Sequence, residues 1–415
     1  TIGDNPYNLL NLNGYNELFT NNAQSLIGLT QDFSPWIKGL KANIKFSWDA
    51  YNYAHLNRSK NPSTYYATGR NEDGNLMYTK NNDGNDYLVL YKDNKGNRTT
   101  YLEASLTYEN LFANAHRVGG LFLFNMREKT DNFPDSYIMS LPYRNQGIAG
   151  RVTYSYKDRY FIEGSFRVDG STKFHPDNRW GFFPTASASW VLSNESFFKN
   201  WDQPILSNVK FRGSVGILGD DGAIDDYSYL MKYMYVARQG YNIGGALKPG
   251  IVMDTTNFPN PELKWGQSRT YNLATDLGFW GNRFGLSFEY YWRYNTNMIT
   301  IAPSYLYPPS TGVDSNPPNM NFGEIKAWGW DLTLSHRNFI QKVKYDLTLT
   351  LAQTRDRVLD YGDESSIDPS RRRVGKSSMV WWMFEADGLF QSQEEIDNHN
   401  LDQDGQGNAT LAPGD

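Results

Sequence analysis

Cysteine is absent from the 415-residue chain, which excludes a disulfide scaffold, a thiolate metal site and a cysteine nucleophile. Absent too is any run of the roughly 18 apolar residues that a transmembrane helix requires. Membrane-spanning strands stay open, because only alternate residues of such a strand must be apolar. For the same reason a mean hydropathy of −0.63 does not make the chain water-soluble. There is no basic block: 40 Lys and Arg stand against 45 Asp and Glu, with both signs mixed, so no footprint for nucleic acid exists. The start, Thr1-Ile2-Gly3-Asp4, carries neither a basic n-region nor an apolar h-region. The end, Leu411-Ala412-Pro413-Gly414-Asp415, reads as loop. Both ends are expected to be cut from a longer chain.

Catalytic motifs are equally scarce. His55, His116, His175, His336 and His399 form no HExxH and no paired-ligand spacing, and neither GxSxG nor GxxxxGK[ST] occurs. Gly119-Gly120 and Gly244-Gly245 read as bends rather than phosphate cradles. The acidic pairs Asp220-Asp221, Asp225-Asp226 and Glu394-Glu395 fall in loops and read as solvated charge. No catalytic residue and no cofactor site follows, so an enzyme is not expected. Asp402-Gln403-Asp404-Gly405-Gln406-Gly407 spaces oxygen ligands like the start of an EF-hand loop, but the twelfth position is Pro413 instead of Glu. A plain polar turn is the stronger reading, with calcium at Asp402 and Asp404 the weaker one.

What the chain has in plenty is aromatic residues, 29 Tyr, 23 Phe and 12 Trp, among abundant Asn, Gly and Thr. That bias favours strands joined by turns. Strict alternation recurs. One face of 283–294 reads Phe284, Leu286, Phe288, Tyr290, Trp292, Tyr294; the other carries Arg283, Glu289 and Arg293. Segments 159–169 and 341–351 behave alike, as do 41–50, 101–109, 208–218, 270–279 and 328–337. Period 2 sustained this long is a strand signal. Segment 116–127 is less clean, since Leu121 and Leu123 oppose Phe122 and Phe124.

The predicted connections alternate in length. Short turns are expected at 34–39, 113–115, 157–159, 281–283 and 338–341, with a medium link at 193–207. Long loops are expected at 53–100, 128–147, 170–182, 219–267, 298–321 and from 356 onward. This is the wiring of an antiparallel, all-β, up-and-down transmembrane barrel with periplasmic turns and extracellular loops. Rings near the short turns, Tyr154, Tyr156, Tyr160, Phe161, Phe279, Trp280 and Phe284, suit an interfacial girdle. A lipid-facing Arg costs about 2–4 kcal/mol at mid-membrane, so Glu163, Arg167, Glu289 and Arg293 are expected to face the lumen. About a dozen strands are expected, and an open edge in hydrocarbon leaves backbone groups unpaired. They therefore close as a mid-sized porin or form part of a larger barrel. Trp381, Trp382 and Arg372, in or beside a long loop, are candidates to stack on sugar rings or hold carboxylates; the alternative is loop packing and solvated charge.

The stretch 166–192, FRVDGSTKFHPDNRWGFFPTASASWVL, resembles a signature of SusC/RagA-type TonB-dependent outer-membrane transporters of the Bacteroidota. Further matches follow in order: Val209–Gly216 with Gly219, Asn260-Pro261-Glu262-Leu263-Lys264-Trp265, Asn321–Ile325, Gly329–Leu332, Arg357–Leu359, Asp387–Ser392 and Pro413-Gly414-Asp415. Gly266 and Asp331 stand where that family usually has Glu. The resemblance implies a 22-stranded barrel with an N-terminal plug in its lumen. It implies import of oligosaccharides or peptides powered through TonB, with a SusD-like surface lipoprotein as lid. Residues 1–415 are then barrel alone, with plug, TonB box and final strands outside this sequence. A passive porin and a soluble all-β glycan-binding protein or glycan-active enzyme are the rival expectations.

Overall fold

The computed structural model describes residues 10–415 except 86, 202–204, 223, 237–241, 244–245, 248–249, 254–257, 304–305, 308–309, 311–316, 363–367, 384 and 386–387. The Gly244-Gly245 pair, Asp387 of the 387–392 element and parts of the 219–267 and 298–321 loops therefore lie outside the described residues.

Twelve strands form one antiparallel sheet, ordered as they occur along the chain. They are Gly14–Asp32, Leu40–Ser59, Val89–Phe112, His116–Asp131, Tyr143–Tyr156, Tyr160–Ser171, Trp180–Val191, Leu206–Asp220, Gly266–Phe279, Phe284–Thr296, Glu324–Ile340 and Val343–Asp360. Tight turns join them on one side. Lys157 and Asp158 both take φ of 51°, and Ala113 and Asn114 take 48° and 50°. Left-handed pairs of this kind match the twist of the strands they connect. The medium link holds the short helix Ser196–Lys199.

Long loops leave the opposite side and carry small hairpins, such as Thr64–Arg70 with Leu76–Asn82 and Ile299–Ile301 with Asn319–Asn321. The expected 53–100 loop is thus too long. The strands run on to Ser59 and resume at Val89, paired throughout. Polar residues occupy both faces there, Tyr51, Tyr53 and Lys95 on one and Asn52, Arg58 and Lys92 on the other, so hydropathy shows no period although the backbone ladder continues. The first strand, Gly14–Asp32, escaped the alternation test because apolar neighbours, Leu18-Phe19 and Leu26-Ile27, fall on opposite faces.

Pairing register sorts the side chains. Because the side-chain period is 2, residues directly opposite share a face. Ile44, Ala104, Phe124 and Ile148 form one such row, and Thr275, Phe288, Leu332 and Leu351 another. The ambiguous strand resolves the same way: Phe122 and Phe124 join the apolar face, while Leu121 and Leu123 point to the polar one. The girdle aromatics Tyr154 and Tyr160 also lie on the apolar face, where Tyr160 stacks on Trp190 at 6.4 Å. Phe161, by its alternation, lies on the polar face. Each Leu or Phe moved from water into hydrocarbon contributes roughly 1.5–3 kcal/mol, so this face sets the membrane orientation.

An arginine at Phe288 of the full-length protein is expected to lower folding stability in lipid vesicles by about 2–4 kcal/mol. The same residue at Thr333, on the polar face one strand away, is expected to cost less than half as much. Equal losses in denaturant titrations would reverse the assignment of faces.

Candidate functional site

Two systems stand out, a polar one on the sheet's polar face and a mainly apolar one among the long loops. On the polar face, Lys45, Glu103, Asn125, Gly147 and Asp169 are consecutive partners across five strands. Lys45 Nζ lies 3.0 Å from Glu103 Oε1, and Tyr101 donates to Glu103 Oε2 at 2.6 Å. Arg167 spans the next gaps, donating from Nε to Asp169 at 2.6 Å and from Nη2 to Asn125 at 3.1 Å. Gly147 lies beneath this crossing. A Cβ there would approach Asp169 Oδ1 to 2.3 Å and the Arg167 guanidinium to 3.2 Å.

Nearer the tight turns, Arg212 donates to Asp276 Oδ2 and to Glu289 Oε2, both at 3.1 Å. Ser287 completes the group by donating to Asp276 at 2.7 Å. Beside it opens a cavity of about 430 Å³, lined by Arg117, Glu163, Lys210 and Arg212 with Ser155, Ser187 and Ser189. The buried Ser155 hydroxyl has no hydrogen-bond partner among the described residues.

The structure therefore places Glu163, Arg167, Glu289 and Arg293 on one face but in different groups. Glu289 joins Arg212, Arg167 joins Asp169, Glu163 lines the cavity, and Arg293 donates to Thr270 at 3.2 Å. Sequence reasoning singled out none of Arg212, Asp276 and Asn125, and it put Asp169 on the charged face of 159–169 without assigning it a partner. Their strand parity was the available signal, since each falls on the charged side of its own alternation.

The second system ties the long loops together. Phe174, Phe183, Ile224, Leu263 and Trp265 form a buried cluster, with Ile217 and Ile299 against it. Trp265 packs on Phe174 at 5.0 Å and on Phe183 at 5.4 Å, and its indole donates to the Arg179 carbonyl at 2.9 Å. Asp221 receives hydrogen bonds from Ser171 at 2.8 Å and Tyr143 at 3.2 Å, so this carboxylate is a structural anchor and not solvated loop charge. Burial pushes the carboxyl of nearby Asp226 up. Asn321 bridges Lys264 and Asn297 from a third loop.

Of the loop candidates, Trp381 is highly exposed, and Trp382 carries the Lys376 ammonium 3.9 Å from its ring centroid. Arg372 lies just beyond the short 3-10 turn Pro369–Arg371. At the calcium-like segment, Asp404 accepts hydrogen bonds from the backbone of Gln406, Asn408 and Thr410 and from the Thr410 hydroxyl, all at 2.7–2.8 Å. These bonds hold its carboxyl well below the usual carboxylate range. Asp402 accepts from Gly405 N at 2.8 Å. These bonds close the segment into a polar turn.

The sequence profile of the family "TonB dependent receptor-like, beta-barrel" matches residues 1–398. A TonB-dependent receptor of Formosa agariphila is 27% identical over 93% of this chain and 40% of its own length. The TonB-dependent receptor SusC of Bacteroides thetaiotaomicron is 28% identical over 64% of this chain and 27% of its own. Among solved structures, that of the RagAB peptide transporter is similar in fold, with a TM-score of 0.63 at 18% identity, covering 87% of this chain and 40% of that one. The chain thus spans about two fifths or less of the length of these relatives.

A Gly147→Val substitution in the full-length protein is expected to break the Arg167–Asp169–Asn125 crossing and lower the thermal midpoint by several degrees. Gly150→Ala, whose nearest Cβ contacts are all ring atoms of Phe166, is expected to shift it less. For Asp404 the sign follows from its lowered pKa. Its contribution is complete above the unfolded carboxylate value of about 3.9 and disappears only as pH falls through the lower folded value. Proteolytic cutting between 402 and 412 is therefore expected to be equally slow at pH 7 and pH 5, and faster at both in Asp404→Asn.

Proposed function

The chain belongs to the TonB-dependent receptor-like β-barrel family, and on that premise we propose that it forms the wall of an active importer of oligosaccharides or peptides. Its place is the outer membrane, its apolar face against lipid. The polar face, with Glu163, Arg167, Glu289 and Arg293, holds a plug and lines the route past it. The long loops, 219–267 and 298–321 above all, form the capture surface, with Trp381, Trp382 and Arg372 as contributing contacts. A SusD-like lipoprotein covers that surface, and TonB supplies the energy through a region preceding the barrel.

The observation that carries this reading is the pairing of formal charges on the polar face. Arg212 with Asp276 and Glu289, and Arg167 with Asp169, make rigid, preorganised walls. Fixed hydrogen-bonding groups of this kind are what a wall needs to hold a plug. The relatives named for TonB dependence support energised uptake, and the likeness to SusC and RagAB supports a large nutrient over a metal chelate.

Uptake of fluorescently labelled oligosaccharides and peptides by cells carrying the full-length gene tests this. Loss of TonB, or a protonophore, is expected to reduce uptake of one substrate class to background. Uptake that continues at full rate would establish a passive pore instead. A lipoprotein is expected to co-purify in mild detergent.

A further inference from the structure

The apolar face is not apolar to its ends. Across Gly266–Phe279, Phe284–Thr296, Glu324–Ile340 and Val343–Asp360, register aligns Arg269, Tyr294, Lys326 and Arg357 in one row. The next row toward the tight turns is Tyr271, Trp292, Trp328 and Arg355. Both rows share parity with Phe288, Leu332 and Leu351, so they stand on the lipid-facing side at the long-loop end of the strands.

Neither row contains a carboxylate. Among the described residues, Arg269, Lys326, Arg355 and Arg357 take part in no ion pair, whereas Arg212, Arg167, Arg117 and Arg337 on the polar face are each bound to one. Even on the apolar face, Arg144, four strands away along the sheet from Gly266–Phe279, is held by Glu128 at 2.7 Å. The Lys326 ammonium lies 5.4 Å over Tyr294 and 5.6 Å over Trp328, which keeps it on this face. Tyr271 stacks on Trp292 at 5.3 Å, flooring the cations with flat rings.

Aromatic side chains of this kind settle at the boundary between hydrocarbon and headgroups. Long-loop ends of outer-membrane barrels point outward from the cell. Three unpaired cations in the row above this floor and a fourth, Arg355, at its end meet the charged layer of the outer leaflet, where each basic residue near an anionic surface is drawn to it. With strands about 4.8 Å apart, the row from Arg269 to Arg357 spans roughly 14 Å, the width of a lipid headgroup carrying more than one phosphate. Arginine provides planar forks suited to phosphate oxygens.

We propose that Arg269, Lys326, Arg355 and Arg357 form a binding site for the phosphate groups of an outer-leaflet lipid, whose acyl chains lie on Tyr290, Trp330 and the aliphatic rows below. The proposal rests on the membrane-facing assignment of this surface.

The test uses the full-length protein in detergent and native mass spectrometry, with lipid A as probe and dephosphorylated lipid A as control. Wild type is expected to retain lipid A, with retention falling as salt rises, and to hold the control at least tenfold more weakly. The quadruple variant Arg269→Gln, Lys326→Gln, Arg355→Gln, Arg357→Gln is expected to lose at least tenfold in lipid A retention while the control is unchanged. The pair Arg355→Gln, Arg357→Gln is expected to fall between, and serves if the quadruple variant does not fold. Equal retention by variant and wild type overturns the site. Displacement of lipid A by equimolar inorganic phosphate overturns it in favour of a free anion. A full-length protein soluble and folded without detergent would instead sink the membrane assignment itself.

Discussion

In hydrocarbon no water is available for backbone N–H and C=O groups, and each left unpaired costs several kcal/mol. Continuous ladders such as those joining Leu40–Ser59 to Val89–Phe112 and Gly266–Phe279 to Phe284–Thr296 answer that constraint. Everything else in the structure hangs on it. Once the ladder is fixed, parity decides which side of the sheet each residue meets, and a slip of one residue would carry Glu289 into lipid and Phe288 into the interior. The ion pairs of the polar face are consequences of register. Arg212 reaches Glu289 only because Ala274, between them, is directly opposite both.

The loop edge follows a different logic. There the backbone meets water and the ladders end, so order comes from side chains. The residues that carry the family resemblance turn out to be the ones that fasten the loops. Trp265 at the end of the 260–265 motif packs on Phe174 and Phe183 of the 166–192 motif, and Asn321 of the 321–325 motif clasps Lys264. The departure at Gly266 falls at a buried strand start, and Asp331 stands opposite Glu289 in the polar row. Gly266 adjoins Trp265, and a Cβ there would lie 3.5 Å from the Asn297 carbonyl that Asn321 holds, whereas Asp331 stands in the polar row away from the fastening. The motifs thus build a platform from which the stretches between them project.

Legibility in the sequence followed the solvent. Inside the membrane, lipid imposes a strict period of two, and strands such as Phe284–Thr296 and Tyr160–Ser171 were readable almost to their ends. Above it both faces are wet, so Tyr51 to Ser59 and Val89 to Thr99 look like loop while remaining paired. The four polar-face residues were readable individually, because charge on one parity has one cheap location. Their partners were not. Arg212 and Glu289 are 77 positions apart, and only the register, which alternation alone does not number, brings them within 3.1 Å. Asp221 was read as solvated for a related cause: Ser171 and Tyr143 reach it from 50 and 78 positions away.

Each strand of the sheet bonds only to its predecessor and its successor. Such wiring has a kinetic side. Contacts between sequence neighbours close small loops, and even the long excursion from Asp220 to Gly266 adds little, since each doubling of loop length costs only about 0.6 kcal/mol. A growing edge therefore always has its next partner close at hand on the same chain. Assembly can advance one hairpin at a time, like courses of brick laid from one corner, with the exposed edge at any moment waiting for a strand that is already tethered to it.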